Sequence, residues 1–209
     1  MTDSRTALIV CALLGGVATA ADKPAPEKPK ATLALAPAGT TAVAAQKYVQ
    51  AAAGSSLVFE FDQAGAASEG SFKKFSTTFA YDEKNLAGSS LNVTVDIGSI
   101  DTQDADRDET LKSADLLDAS KYPSATYSAR SLEKAASGLQ AVGKLTLRGM
   151  TRDLRLPLSV KTTATGLELS GSTSIKRLDY GVGQGDWKAT DSVGDEIKIT
   201  YKVSMVKAK

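Results

Sequence analysis

The chain has 209 residues, enough for one domain of ordinary size with a tail. With 25 basic and 24 acidic residues its formal charge is +1, and no field of one sign draws it to nucleic acid. It has no histidine and one cysteine, which removes the commonest general base, the commonest zinc ligand and every Ser-His or Cys-His arrangement, so the composition predicts a binding protein and not an enzyme.

Residues 1–20, MTDSRTALIVCALLGGVATA, have the layout of a secretory signal peptide: a polar start with Arg5, an apolar run, then Ala18-Thr19-Ala20. The run is shorter than the roughly 20 residues of a membrane-spanning helix. Cleavage after Ala20 is expected, with export to the periplasm or the exterior. Cys11 lies inside the discarded peptide, and the mature chain needs no disulfide. Residues 21–45, rich in Pro, Lys and Ala, read as a linker, with a short helix around residues 40–47.

Beyond Tyr48 the apolar period is two. SLVFEFD puts Leu57, Phe59 and Phe61 on one face, and LNVTVDI alternates Leu91, Val93, Val95 and Ile97 with polar neighbours. GKLTLRG, RDLRLPLSV and EIKITYKVSMV alternate in the same way, the last through Ile197, Ile199, Tyr201, Val203 and Met205. Each pattern predicts a half-buried strand. GSFKKFSTTFAYD, ATYSARSLE and GLELSGSTSIKRLDYG are further strands, with turn signals such as Asp82–Asn85, Arg148-Gly149 and Gly181–Gly185 between them. Some eight strands joined by short turns imply an all-β antiparallel sandwich or closed barrel.

One passage breaks the alternation. In SIDTQDADRDETLKSADLLDASKYP, residues 99–123, Leu111, Leu116 and Leu117 form a partial helical face. Asp104 or Asp106 would cap a short helix there, and Pro123 would close the segment. The acidic run is an incomplete calcium loop: with Asp104 as its first position, the sixth is Glu109 where a sharp turn needs Gly, and the twelfth is Asp115 instead of Glu. A glycosidase-like pair would need two carboxylates facing across a cleft. Caps, turns and a clamp by Arg107 and Asp108 that fastens the helix to the barrel rim account for the run better.

Four motifs in order resemble the YceI family of secreted bacterial proteins: GSFKKFSTTFAYD, IGSIDTQDADRDETLKSADLLDASKYPSATY, GKLTLRGMTRDLRLPLSV and IKRLDYGVGQGDW…VGDEIKI. The resemblance spans about residues 48–206, within a domain taken as 46–209. Two positions depart from the family pattern: Gln63 stands where a His is frequent, and Asp115-Leu116-Leu117 replaces an Asp followed by aromatics. The resemblance implies an eight-stranded lipocalin-like barrel around an elongated apolar cavity that holds an isoprenoid chain, either a polyprenyl lipid or an isoprenoid quinone. A fatty acid or fatty amide is the alternative ligand, and a barrel filled by its own side chains and used for protein contacts is the alternative architecture. Beyond such a lipid no cofactor or metal is implied, and transient membrane contact is compatible with lipid transfer.

The candidate cavity-lining residues are Phe59, Phe61, Phe72, Phe75, Phe79, Val93, Val95, Leu116, Leu117, Tyr127, Leu145, Leu147 and Trp187. Trp187, in a glycine-rich loop, is expected at the mouth. Leu116 and Leu117, as helical neighbours about 100° apart, are expected to divide: one against the barrel wall, one toward the entrance.

Overall fold

Each period-two run of the sequence becomes a strand, because alternate side chains of an extended chain fall on opposite faces. The computed structural model describes residues 45–136 and 138–209; the expected signal peptide and all but the last residue of the expected linker lie outside the described residues. Eleven strands are found among the described residues: β1 (Gln46–Gln50), β2 (Ser56–Gln63), β3 (Ala66–Phe72), β4 (Phe75–Tyr81), β5 (Ser90–Asp96), β6 (Ile100–Asp101), β7 (Ser124–Ala135), β8 (Gly138–Leu147), β9 (Met150–Thr162), β10 (Gly166–Lys176) and β11 (Val193–Lys207).

Eight of them close into an antiparallel ring, β1-β4-β5-β7-β8-β9-β10-β11, completed where Tyr48 of β1 pairs with Lys207 of β11. Closure removes the free edges that an open sheet would expose. Strand β11 spans 15 residues and serves two partners. Its last residues pair with β1, while Ile197–Lys202 pair with β2, which leads on to β3 and β6. The ladders around the ring are unequal. Strands β10 and β11 pair over eleven positions, but β9 and β10 pair over four, ending at Ser170 opposite Ser159. Past that point the Tyr201 hydroxyl reaches the Pro157 carbonyl, and a Cβ at Gly171 would overlap both atoms.

Three expectations are corrected. Residues 46–50 form β1 instead of ending a helix, because Tyr48 packs in the core and both edges of the segment find partners, β4 and β11. GSFKKFSTTFAYD is not one strand: it breaks between Phe72 and Phe75, where Lys73 N–H donates to the Ser99 carbonyl and Lys74 N–H to Ser99 Oγ. GLELSGSTSIKRLDYG remains extended only to Lys176; Arg177–Tyr180 form a 3-10 turn that ends at Gly181 with φ of 66°.

The helix between β6 and β7, α1, is Ala105–Lys112. Asp104 caps it by accepting from Arg107 N–H at 3.1 Å, with Asp106 and Asp108 in the first turn and Lys112 in the last. It buries no residue completely, so polar contacts tether it. Asp108 Oδ1 accepts from Thr102 N–H at 2.8 Å and from Thr102 Oγ1 at 2.7 Å. Arg107 does not share in that fastening: its nearest carboxylate is Asp104 of its own helix, at 3.5 Å. Elsewhere in the acidic run Asp101 pairs with Lys73 and Glu109 with Lys112.

The apolar interior divides along the barrel axis. At one end Tyr48, Phe79, Leu91, Leu132, Ala141, Leu167 and Met205 close the ring with packed side chains. At the other, Phe59, Phe61, Ile97, Ile100, Leu116, Leu117, Ile175, Tyr180 and Val182 pack beneath the irregular segments.

Candidate functional site

Between these two clusters the barrel is hollow. The cavity has a volume of about 340 Å³, inside the roughly 300–1,000 Å³ range of small-molecule sites, and its wall is almost entirely hydrocarbon. Inward-facing residues of the ring supply the wall: Val93 and Val95 of β5, Tyr127 of β7, Leu145 and Leu147 of β8, Leu154, Leu156 and Leu158 of β9, Leu169 and Ile175 of β10, and Ile197, Ile199, Tyr201 and Val203 of β11. From β2, β3 and β4 come Phe59, Phe61, Phe72, Phe75 and Thr77. Phe59 lies 5.9 Å from Phe61 and 5.3 Å from Phe72, centroid to centroid. A side chain at Gly70 would collide with the Phe59 ring, which makes the glycine part of this aromatic wall. An architecture filled by its own side chains is therefore not what the sequence builds.

The mouth is roofed by three segments: α1 with Arg107, Thr110 and Leu111, the turn after it with Leu116 and Leu117, and the loop with Val182 and Trp187. The helix ends at Lys112, so Leu116 and Leu117 are not helical neighbours as the sequence pattern predicts. Leu117 N–H bonds the Leu111 carbonyl at 3.0 Å and Asp118 N–H the Ser113 carbonyl at 2.8 Å. This tight turn points both leucines inward, and they are 4% and 8% exposed and both border the cavity. Distant groups hold the turn in place. Arg148 donates to the carbonyls of Ala114 at 2.6 Å and Gly181 at 2.7 Å, and Gly183 and Gln184 N–H both bond the Asp115 carbonyl. Arg148 reaches both because it and Gly149, at φ of 50° and 74°, form the two-residue turn between β8 and β9.

Arg177, for which the sequence pattern predicts no role, organises the rest of the roof. It is 2% exposed, and its guanidinium donates to five carbonyls: Gly194 at 2.9 Å, Val182 at 3.0 Å, Trp187 at 2.7 Å, Ala189 at 3.1 Å and Val193 at 2.8 Å. Guanidinium has five N–H groups, and here the loop from 182 to 194 wraps around all of them. Burial lowers its pKa from the ordinary arginine value, opposed by the nearby Asp195 carboxylate.

Two phenols stand in the wall. Tyr127 donates to the Ala141 carbonyl at 2.9 Å and contacts that of Leu154 at 3.1 Å, while Tyr201 bonds Pro157. Burial pushes both phenols well above the ordinary tyrosine pKa. Thr77 differs from them: it is 2% exposed, it borders the cavity, and its Oγ1 has no hydrogen-bond partner among the described residues.

Of the candidate residues, Phe59, Phe61, Phe72, Phe75, Val93, Val95, Leu116, Leu117, Tyr127, Leu145, Leu147 and Trp187 border the cavity. Trp187 is half-buried on a 3-10 turn, Gly185–Lys188, whose position its own carbonyl fixes through Arg177. Phe79 is a correction: it is 1% exposed, stacks on Tyr81 at 5.2 Å and belongs to the packed end, outside the lining. Leu57, Ile97, Ile175, Ile197, Ile199 and Val203 border the cavity as well, outside the candidate set, although period-two alternation puts most of them on inner faces.

Comparison with known proteins agrees with this architecture. The model of the YceI-like domain matches residues 48–205. Protein YceI of Escherichia coli O157:H7 is 46% identical over 87 residues, 42% of this chain and 46% of that protein, so the chain spans about half the length of such curated relatives. The crystal structure of Burkholderia cenocepacia BcnA superposes with a TM-score of 0.68 at 31% identity, covering 71% of this chain and 94% of that one. A polyisoprenoid binding domain from Saccharophagus degradans, implicated in plant cell wall breakdown, has the same fold, with a TM-score of 0.62 at 16% identity over 77% of this chain and 98% of its own.

Proposed function

The chain belongs to the YceI family, and on that premise we propose that it is a non-enzymatic carrier that holds the chain of an isoprenoid lipid or isoprenoid quinone in its barrel. The observation that carries this reading is the hollow, hydrocarbon-walled interior between a packed end and a roofed mouth. A chain of about 20–40 carbons exposed to water costs on the order of 15–30 kcal/mol, at about 0.8 kcal/mol per carbon. Such a molecule crosses an aqueous compartment only when shielded, and shielding calls for a cavity and a cover, not for a reaction. The relative from Saccharophagus degradans, described as polyisoprenoid binding, supports the ligand class. A cleaved signal peptide at residues 1–20, with 21–45 as a linker ahead of the domain, would export the carrier from the cytoplasm, where a roof that opens against a membrane would load it.

Native mass spectrometry of the gently purified full chain tests the proposal. A non-covalent adduct of polyprenyl or quinone mass, or uptake of such a lipid by the empty protein, is expected. A fatty acid or amide as the preferred ligand would replace the isoprenoid. Protein that is always empty and takes up none of these would refute the carrier role.

A further inference from the structure

Between β9 and β10 the barrel wall is split. Toward the packed end the two strands pair from Leu167 opposite Thr162 to Ser170 opposite Ser159. Beyond that point, among the described residues, their backbones do not pair again, although each keeps its other neighbour to the end. Strand β9 stays on β8 as far as Met150, and β10 stays on β11 as far as Lys176. Residues 151–157 thus line a seam about 20 Å long that runs up to the mouth. The sequence builds this split. In an antiparallel strand a residue's N–H and C=O point to the same side. The Pro157 carbonyl lies against Gly171 of β10, so the N–H that proline lacks is one that β10 would have used. Tyr201, paired with Gly171 in the next ladder, gives its phenol hydrogen to that carbonyl, across a space that a side chain at 171 would block. At the mouth end side chains bridge the seam: Arg152 Nε donates to the Asp179 carbonyl at 3.2 Å, and Arg148 to that of Gly181 at 2.7 Å. Between these ends it is flanked by Leu154 and Leu156 of β9 and by Thr173 and Ile175 of β10, all of which border the cavity.

We propose that this seam is the portal through which the lipid chain enters and leaves sideways, the edges of β9 and β10 parting while the ladders on either side hold. The inference rests on the carrier reading and concerns the route, not the ligand. Parting a paired ladder breaks backbone hydrogen bonds along its whole length, whereas the seam has none to break between residues 151 and 157. A chain laid in from the side crosses the wall once. End-on entry draws every carbon past a roof that Arg148 and Arg177 tie down. The seam reaches that roof, so a lifted roof widens the same opening.

Stapling the seam tests the route. Arg155 and Ser174 are exposed, alternate with the cavity-lining residues of β9 and β10, and continue the register of Ser159 opposite Ser170. Both are changed to cysteine in the full chain carrying Cys11→Ser, which removes the sole native thiol. The pair is joined by oxidation, or by a bismaleimide spacer long enough to bridge a parted seam. Stopped-flow quenching of Trp187, the one tryptophan, by decylubiquinone follows entry and exit, since Trp187 borders the cavity. The staple is expected to slow both rates about tenfold or more and to leave Kd within about twofold, because it blocks the path and not the bound state. The same spacer at Ser128→Cys and Lys144→Cys, across the complete ladder of β7 and β8, should change neither rate. Loading and unloading at the wild-type rate through a stapled seam overturns the portal, while the binding itself still supports the carrier. Equal slowing by the two staples overturns it as well. A wild-type chain that binds neither decylubiquinone nor farnesol overturns the carrier reading and the portal together.

Discussion

Replacing Arg177 by Met should detach the roof while leaving the barrel wall standing. The guanidinium makes five hydrogen bonds to the carbonyls of residues 182, 187, 189, 193 and 194. Bonds from a charged donor are worth about 1.5–3 kcal/mol each, a nominal sum of about 8–15 kcal/mol, which equals the entire stability of a typical domain. The protein will not lose that much, because the orphaned carbonyls can return to water if the loop from Val182 to Gly194 lifts away. Loop release therefore caps the loss, at about 3–5 kcal/mol. For a domain of this size that lowers Tm by roughly 6–20 °C. Hydrogen exchange should show peptides covering 178–194 losing protection while the β7–β8 and β10–β11 ladders keep theirs, and lipid release should quicken. Arg177→Lys, which retains the charge but has three donors instead of five, should fall between. A Met variant with unchanged loop exchange and a Tm within about 2 °C of wild type would refute this account of the roof.

Asp108→Ala should cost about 1.5–3 kcal/mol in urea unfolding, because it strips two hydrogen bonds from buried Thr102, whereas Arg107→Ala, whose Asp104 partner lies at 3.5 Å on an exposed face, should cost less than about 0.5 kcal/mol; the reverse order would reinstate Arg107 as the clamp. Leu116→Trp and Leu117→Trp should each reduce lipid uptake, since both side chains border the cavity, and a fluorescence competition assay in which only one does so would restore the divided arrangement. Tyr127 and Tyr201 have folded pKa values raised above the ordinary 10.0, so the stability they contribute is intact below that pH and is lost progressively as pH rises from it toward the folded values. The slope should reach about 1.4 kcal/mol per pH unit for each phenol, and phenolate absorbance from these two should appear only with unfolding, as a titration followed by circular dichroism would show.

The strands, their antiparallel class and most of the inward faces were legible in the amino-acid order, because alternation is a local property of extended backbone, whereas it left sandwich and closed barrel open and only the family resemblance implied closure. EIKITYKVSMV faces Ile197, Ile199, Tyr201 and Val203 inward whatever its neighbours are, and they do border the cavity. The Asp104 cap was legible for the same reason, since its partner is three residues away. What lies inside the ring was decided by contacts distant in sequence. Phe75, Thr77 and Phe79 share one face of β4, yet only the first two meet empty space, because Tyr48, Leu91 and Met205 arrive from other strands to pack around the third. Leu116 and Leu117 both turn inward because Arg148, from a hairpin more than thirty positions away, holds the Ala114 carbonyl. Arg177 stood in the sequence as one more charge at the end of a strand. Its five partners converge only when the following loop folds back over it, since a buried guanidinium is stable only where every N–H finds an acceptor.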